Sequence, residues 1–223
     1  MCGRFALGKI DPESMGEWLT LIDDLDEFEP RWNIAPTTQI LIVREDRKSA
    51  MARWGLIPQW WSKPLEMMKA TTFNARSEEA ANKPFFRDAW AGKGRSGRCL
   101  IPAIGYYEWS GTKGAKTPWF VTTHRNRPGF CMAGLWAETR AGGAPLLTTT
   151  ILTAAAGAAT KHLHPRTPVI LEDSEWDDWL SGTRSTELMR APEDERIDVW
   201  EVGPEVGNVR NEGPGLIDRA GLF

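Results

Sequence analysis

Seven short apolar, β-branched runs constrain this chain more than any other feature. They are Gln39–Val43, Met51–Trp54, Cys99–Ile104, Trp119–Thr123, Gly129–Leu135, Leu147–Thr153 and Pro168–Leu171. Each is four to seven residues long and closed by Gly, Pro or charged residues, the spacing of a sheet-rich domain. Three helical stretches accompany them. Asp11-Pro12 followed by Met15, Trp18, Leu19, Ile22, Leu25 and Phe28 reads as a capped amphipathic helix. Glu78–Trp90, broken near Pro84, and Ser174–Leu180 are the others. The fold class predicted is α+β: a single domain with a curved antiparallel, barrel-like β-sheet core and flanking short helices. At 223 residues, with no internal repeat and no long linker, one domain spans 1–223. Residues 191–223, acidic and interrupted by Pro and Gly, are expected to form a partly loose tail.

Composition excludes several classes. Hydrophobic residues are 41% and charged residues 26%, which excludes a disordered chain. No run reaches the roughly 18 apolar residues of a membrane span. Met1-Cys2-Gly3-Arg4 has no apolar stretch behind it to act as a secretory signal. Three cysteines are too few and too odd in number for a disulfide framework, which suits a reducing cytoplasm. Charge is uneven: residues 1–171 hold 22 Lys and Arg against 16 Asp and Glu, whereas 172–223 hold 5 against 14. The segment 53–98 has 9 basic and 4 acidic residues, with several of the chain's 12 Trp among them. Basic residues interleaved with aromatics are the footprint of a nucleic-acid groove; a solvated face is the plainer alternative.

Cys2 carries the most specific chemistry. Behind a small second residue the initiator methionine is normally removed, so the mature chain is expected to begin with cysteine. An α-amine of pKa about 8 and a thiol of pKa about 8.5 then sit on adjacent carbons. Such a 1,2-aminothiol condenses with an aldehyde through nitrogen and closes a five-membered thiazolidine through sulfur. The second step is intramolecular, so the adduct outlasts a lysine imine. Arg4, if folded back, would favour the thiolate. The plain alternative is a cysteine that is merely a small second residue.

Six segments add to this. Met1-Cys2-Gly3-Arg4-Phe5 and Trp32-Asn33-Ile34-Ala35-Pro36 come first. Arg53-Trp54-Gly55-Leu56-Ile57-Pro58, with Gln59-Trp60-Trp61, and Phe73-Asn74-Ala75-Arg76-Ser77-Glu78 follow. Arg98-Cys99-Leu100-Ile101-Pro102-Ala103 runs into Gly105-Tyr106-Tyr107-Glu108-Trp109, and Thr150-Ile151-Leu152-Thr153 leads to His164-Pro165-Arg166-Thr167-Pro168-Val169-Ile170-Leu171. In this order, from Cys2 to about Leu171, the chain resembles the SOS response-associated peptidase (SRAP) family. The resemblance implies a sensor of abasic sites in single-stranded DNA, crosslinked through its amino-terminal cysteine to the ring-opened deoxyribose. Carried over motif by motif, Cys2 is the nucleophile, Asn74 orients the sugar and the amine, and Glu108 and His164 move protons. Arg4, Arg76, Arg87 and Arg166 would hold phosphates. Trp60 or Trp61 would stack on a base, and Asn33 and Pro36 would shape the pocket wall. Thr167 departs from the family, which more often has methionine there, at a position read as packing.

Elementary chemistry agrees with these roles. An abasic deoxyribose is mostly a closed hemiacetal, and opening it needs a group that gives and takes protons; an imidazole titrating near about 6.5 suits this. Glu108, after two tyrosines and before a tryptophan, is expected to be partly desolvated. His162 competes with His164, two residues away; the Arg166-Thr167-Pro168 context favours His164, and His124 falls in a charged turn. Cys99 and Cys131 sit in apolar runs as fillers. No zinc-like Cys/His spacing and no phosphate loop is present, so no cofactor and no metal are expected. The expected partner is single-stranded DNA containing abasic sites, met by a cytoplasmic monomer that joins the nucleoid when bound. Two other classes remain: an amino-terminal-nucleophile amidohydrolase or thiol peptidase, and a single-strand DNA-binding module whose cysteine is incidental.

Overall fold

The computed structural model describes residues 2–8, 29–112, 114–123, 129–141 and 143–221. The helix expected from Asp11 to Phe28 lies outside these residues, as does His124. In chain order the strands begin with β1 (Phe5–Leu7), β2 (Arg31–Ile34), β3 (Gln39–Arg44), β4 (Ser49–Trp54) and β5 (Asn74–Arg76). Two one-turn helices follow, α1 (Ser77–Ala80) and α2 (Arg87–Trp90), with Pro84 between them. Then come β6 (Ser96–Ala103), β7 (Gly105–Thr112), β8 (Ala115–Thr123), β9 (Phe130–Thr139) and β10 (Leu146–Ala155). The chain continues through β11 (Arg166–Pro168), β12 (Ile170–Leu171), α3 (Trp176–Ser181) and β13 (Ile197–Glu201).

The barrel-like core is borne out, and it is closed. In the larger sheet β10, β4, β3, β6 and β9 pair in turn, and β9 pairs back onto β10. Four of those five seams are antiparallel; β10 runs parallel to β4, and also to the short β5. Closure leaves β9 and β10 buried along nearly their whole length, which is why they read as continuous apolar and threonine runs rather than alternating ones. The buried Thr148 and Thr149 hydroxyls donate to the carbonyls of Ala137 and Leu135, at 3.0 and 2.9 Å, so burial leaves them satisfied.

A second sheet of five strands, in the order β13-β8-β7-β1-β2, lies beside the barrel. Gly105 opens β7, where a Cβ would stand 2.1 Å from the Phe120 ring; only glycine lets that ring lie against the strand. The outer face of this sheet has its own apolar cluster of Ala6, Tyr107, Phe120, Val202 and Val206. That cluster corrects the expectation of a loose tail. β13 pairs with β8 from Ile197↔Thr123 to Glu201↔Trp119, and Val202 bridges Arg219. Trp200 Nε1 donates to the Ile217 carbonyl at 2.7 Å. Acidic composition misled because apolar residues scattered through the segment, among them Ile197, Val199, Trp200, Val202, Val206, Leu216 and Ile217, pack against the two clusters. Among the described residues no helix is long and apolar enough to cross a membrane.

Candidate active site around Cys2

β1 and the residues before it run antiparallel to β7, which places Cys2 between the two sheets. Arg4 is the hinge of this arrangement. Its carbonyl accepts the Tyr107 N–H at 2.9 Å and the Cys2 thiol at 3.7 Å. Cys2 is completely buried. Asn74, the first residue of β5, arrives from the barrel side and donates its Nδ2 to the Cys2 carbonyl at 2.6 Å. Its Oδ1 is buried without a partner. A buried acceptor without a partner costs about 1–3 kcal/mol, which makes this oxygen a candidate for a bound group beside Cys2.

Glu108 is buried on β7, two residues after Tyr106, so both side chains project from one face of the strand. The two causes that push the Cys2 thiol well above its usual range are burial, the larger, and the negative charge of Glu108. The thiol is therefore held protonated. This corrects the expectation that Arg4 lowers it: the Arg4 guanidinium turns away, donating to Asn33 Oδ1 and, at 2.8 Å, to the Val206 carbonyl, and lies over the Trp109 ring. Only the Arg4 backbone touches the sulfur.

The histidine pair is separated by its surroundings. His162 is exposed, edge-on to Trp119 with ring centroids 6.2 Å apart. His164 is half-buried at the entrance to β11, and its Nδ1 accepts the Arg166 backbone N–H at 3.0 Å. Assigned from that bond, the neutral ring carries its proton on Nε2, which leaves Nε2 as the donor. Thr167, expected to be a packing element, instead has a buried hydroxyl 3.0 Å from Tyr106 Oη.

The expected DNA-contacting residues divide into two groups. Arg76 and Arg87 are exposed, with the half-buried Glu79 3.6 Å from the first and the half-buried Asp88 3.9 Å from the second. Trp60 is 48% exposed and meets Trp61 and Phe85 in an aromatic shelf, with Trp61 half-buried behind it. Pro36 lines a cleft of about 310 Å³ shared with Arg53, Trp54 and Phe73. Arg4, Asn33 and Arg166 are already occupied by protein partners. Arg166 grips Glu78 through both terminal nitrogens, at 2.6 and 2.7 Å, and also donates to the Thr153 carbonyl. That contact holds the Glu78 carboxyl below its usual range. A phosphate reaching Arg166 has to take the place of Glu78.

Asn33, read from sequence as pocket wall, is a latch. Its Oδ1 holds Arg4, and its Nδ2 faces the carbonyls of Val206 at 3.2 Å and of Asn208 and Asn211 at 3.0 Å. Glu212 adds a bond from the Trp32 N–H at 2.8 Å. Asn33→Ala is expected to lower unfolding free energy by about 3 kcal/mol, since each buried group left unsatisfied costs about 1–3 kcal/mol. Urea denaturation measures this; a loss under about 0.5 kcal/mol is the size expected of an uninvolved surface position and would remove Asn33 from the latch.

The basic segment 53–98 also divides. Arg98 lies between the Trp90 and Trp179 rings, 5.6 and 5.4 Å from their centroids, and Arg53 donates to the Gly55 carbonyl at 3.0 Å, so both are internal. Cys99 and Cys131 are buried, as their apolar runs imply. Among the described residues no group of three or more His, Cys, Asp or Glu side chains is placed to hold a metal. Two residues of interest were missed in the sequence, Tyr106 and Glu78. Period-two spacing from Glu108 marks Tyr106 as its face-mate; no local signal marks Glu78 as the partner of an arginine 88 positions away.

Comparison with known proteins places this geometry. The family model for SOS response associated peptidase (SRAP) matches residues 1–209. The abasic site processing protein YoqW of Bacillus subtilis is 30% identical, covering 98% of this chain and 99% of its own. The abasic site processing protein YedK of Escherichia coli is 29% identical, covering 97% and 99%. Among solved structures, a Bordetella bronchiseptica protein superposes with a TM-score of 0.76 at 28% identity, covering 91% of this chain and 100% of its own. A Bacteroides thetaiotaomicron protein gives 0.76 at 22% identity, with 87% and 88% covered, and speaks for the fold alone.

Proposed function

The chain belongs to the SOS response associated peptidase (SRAP) family, and from that premise we propose that it processes abasic sites in single-stranded DNA by forming a thiazolidine crosslink through Cys2 once Met1 is removed. The observation that carries this reading is the Asn74 carboxamide bound to the Cys2 backbone with its Oδ1 buried and unpartnered. That oxygen is an acceptor suited to a free amine or a sugar hydroxyl. The protonated thiol points the same way. A thiol peptidase needs a thiolate beside a cation, whereas burial and Glu108 here both favour the neutral thiol. An amine-first sequence does not need a thiolate at the outset.

The steps balance without a cofactor. As the sugar opens to its aldehyde, His164 Nε2 gives its proton to the ring oxygen and takes up, through water, the proton released by the C1 hydroxyl, so the ring is neutral before and after. The Cys2 ammonium gives a proton to the Glu108 carboxylate, and the freed amine adds to the aldehyde carbon, giving a carbinolamine as one amine proton moves to oxygen. Glu108 in its acid form protonates the hydroxyl, water leaves and an iminium remains. The thiol gives its proton to the Glu108 carboxylate while sulfur bonds the iminium carbon, which closes the ring and regenerates the acid. Phosphates on either side fall to the exposed Arg76 and Arg87, and a neighbouring base stacks on Trp60, a contact worth about 1–3 kcal/mol.

A denaturing gel tests the reading. Purified protein is mixed with single-stranded DNA bearing one abasic site and, separately, with intact DNA of the same sequence. A denaturation-resistant band with the abasic strand alone is expected; no band with either strand overturns it. His164→Ala is expected to slow the reaction by about 10²–10⁴-fold, the usual contribution of general acid–base catalysis. The same loss with His162→Ala and none with His164→Ala would move the role two residues along the chain.

A further inference from the structure

We infer that Tyr106 and Thr167 form a positioning pair that sets the distance between the two proton carriers across Cys2. The pair bridges the two sheets: Tyr106 belongs to β7 in the five-stranded sheet and Thr167 to β11 on the barrel. Both are 1% exposed, and their hydroxyls are 3.0 Å apart. Each stands next to one carrier. Tyr106 shares its β7 face with Glu108, and its register partner is Phe5, three residues past Cys2. Thr167 directly follows Arg166, whose backbone N–H fixes the His164 ring. Burial, first, and the nearby charge of Glu108 push the Tyr106 hydroxyl well above its usual range. Tyr106 is therefore a neutral, hydrogen-bonding strut at physiological pH. Neither hydroxyl has a step of its own in the reaction; their bond holds the Glu108 strand against the His164 turn.

The pair rests on the proposed function for its catalytic consequence, and its test separates the two. Thr167→Val keeps the shape and removes the hydroxyl. At saturating protein, the crosslinking rate constant on abasic single-stranded DNA is expected to fall about tenfold, within the range that a misplacement of about 1 Å produces. The half-saturating protein concentration should stay unchanged, and Thr167→Ser should restore the rate. Tyr106→Phe should give the same loss, and the double variant no further loss, as for two ends of one interaction. The second readout needs no DNA: alkylation of Cys2 by iodoacetamide, followed by peptide mass spectrometry. The native thiol is sealed, so Thr167→Val should react about tenfold faster and Thr167→Ser at the native rate. Native crosslinking speed in both Thr167→Val and Tyr106→Phe overturns the pair, as do additive losses in the double variant. If the unaltered protein forms no crosslink, the proposed function fails; the alkylation rates then decide the pair, and unchanged rates overturn it.

Discussion

Cys2→Ala protein should yield no denaturation-resistant product with abasic single-stranded DNA while binding that DNA almost as tightly as before. The reaction loses its ring-closing atom, so at most a reversible imine remains, and denaturation in water removes it. On the proposed reading affinity should reside elsewhere, in the exposed Arg76, Arg87 and Trp60, since phosphate contacts dominate binding to nucleic acid. Cys2 is buried, yet replacing sulfur by hydrogen deletes a single heavy atom, so the fold should lose only about 1 kcal/mol. Two measurements on one preparation check this: fluorescence anisotropy for affinity and a denaturing gel for the adduct. A durable band from Cys2→Ala would hand the chemistry to a lysine.

Blocking the amine should be as complete in effect, with the thiol untouched. Where a residue that cannot be cleaved precedes Cys2, its nitrogen is a peptide amide whose lone pair is delocalised and cannot form an imine. The thiol alone gives a hemithioacetal, which reverses. Such protein should bind abasic DNA and release it all on denaturation. Mass spectrometry of active protein should show the loss of one methionine. Efficient crosslinking by protein proven to retain Met1 would sink the thiazolidine mechanism.

What sequence conveyed and what it withheld follow a physical division. The barrel strands were legible because their apolar and β-branched runs are dictated by burial: Gln39–Val43 became β3, and Leu147–Thr153 the middle of β10. β7 escaped because Gly105-Tyr106-Tyr107-Glu108-Trp109 places a charge and a pair of tyrosines where an apolar run was sought, although both tyrosines pack into the apolar clusters. Asn74 and Glu108, assigned by motif, are brought to Cys2. The arginines were the least legible. One window of sequence cannot tell Arg76, at the surface, from Arg98, between two tryptophan rings, or from Arg166, in the grip of Glu78. Partner choice for a long cationic side chain is settled by residues tens to hundreds of positions away, and composition averages that information out.

The Asn33 latch also has a consequence for biosynthesis. Arg4, two residues from the nucleophile, finds its partner carbonyl at Val206, 202 positions along the chain. A ribosome adding about 5–20 residues per second reaches that carbonyl roughly 10–40 s after Arg4 is made. For that interval the amino-terminal strand lacks its final fastening, so an aminopeptidase working on nascent chains would meet Met1 before the strap can close. On the proposed mechanism, exposure of the aminothiol would thus be scheduled by translation: the α-amine would be freed before the segment that fixes its neighbour, 202 positions further on, has been made.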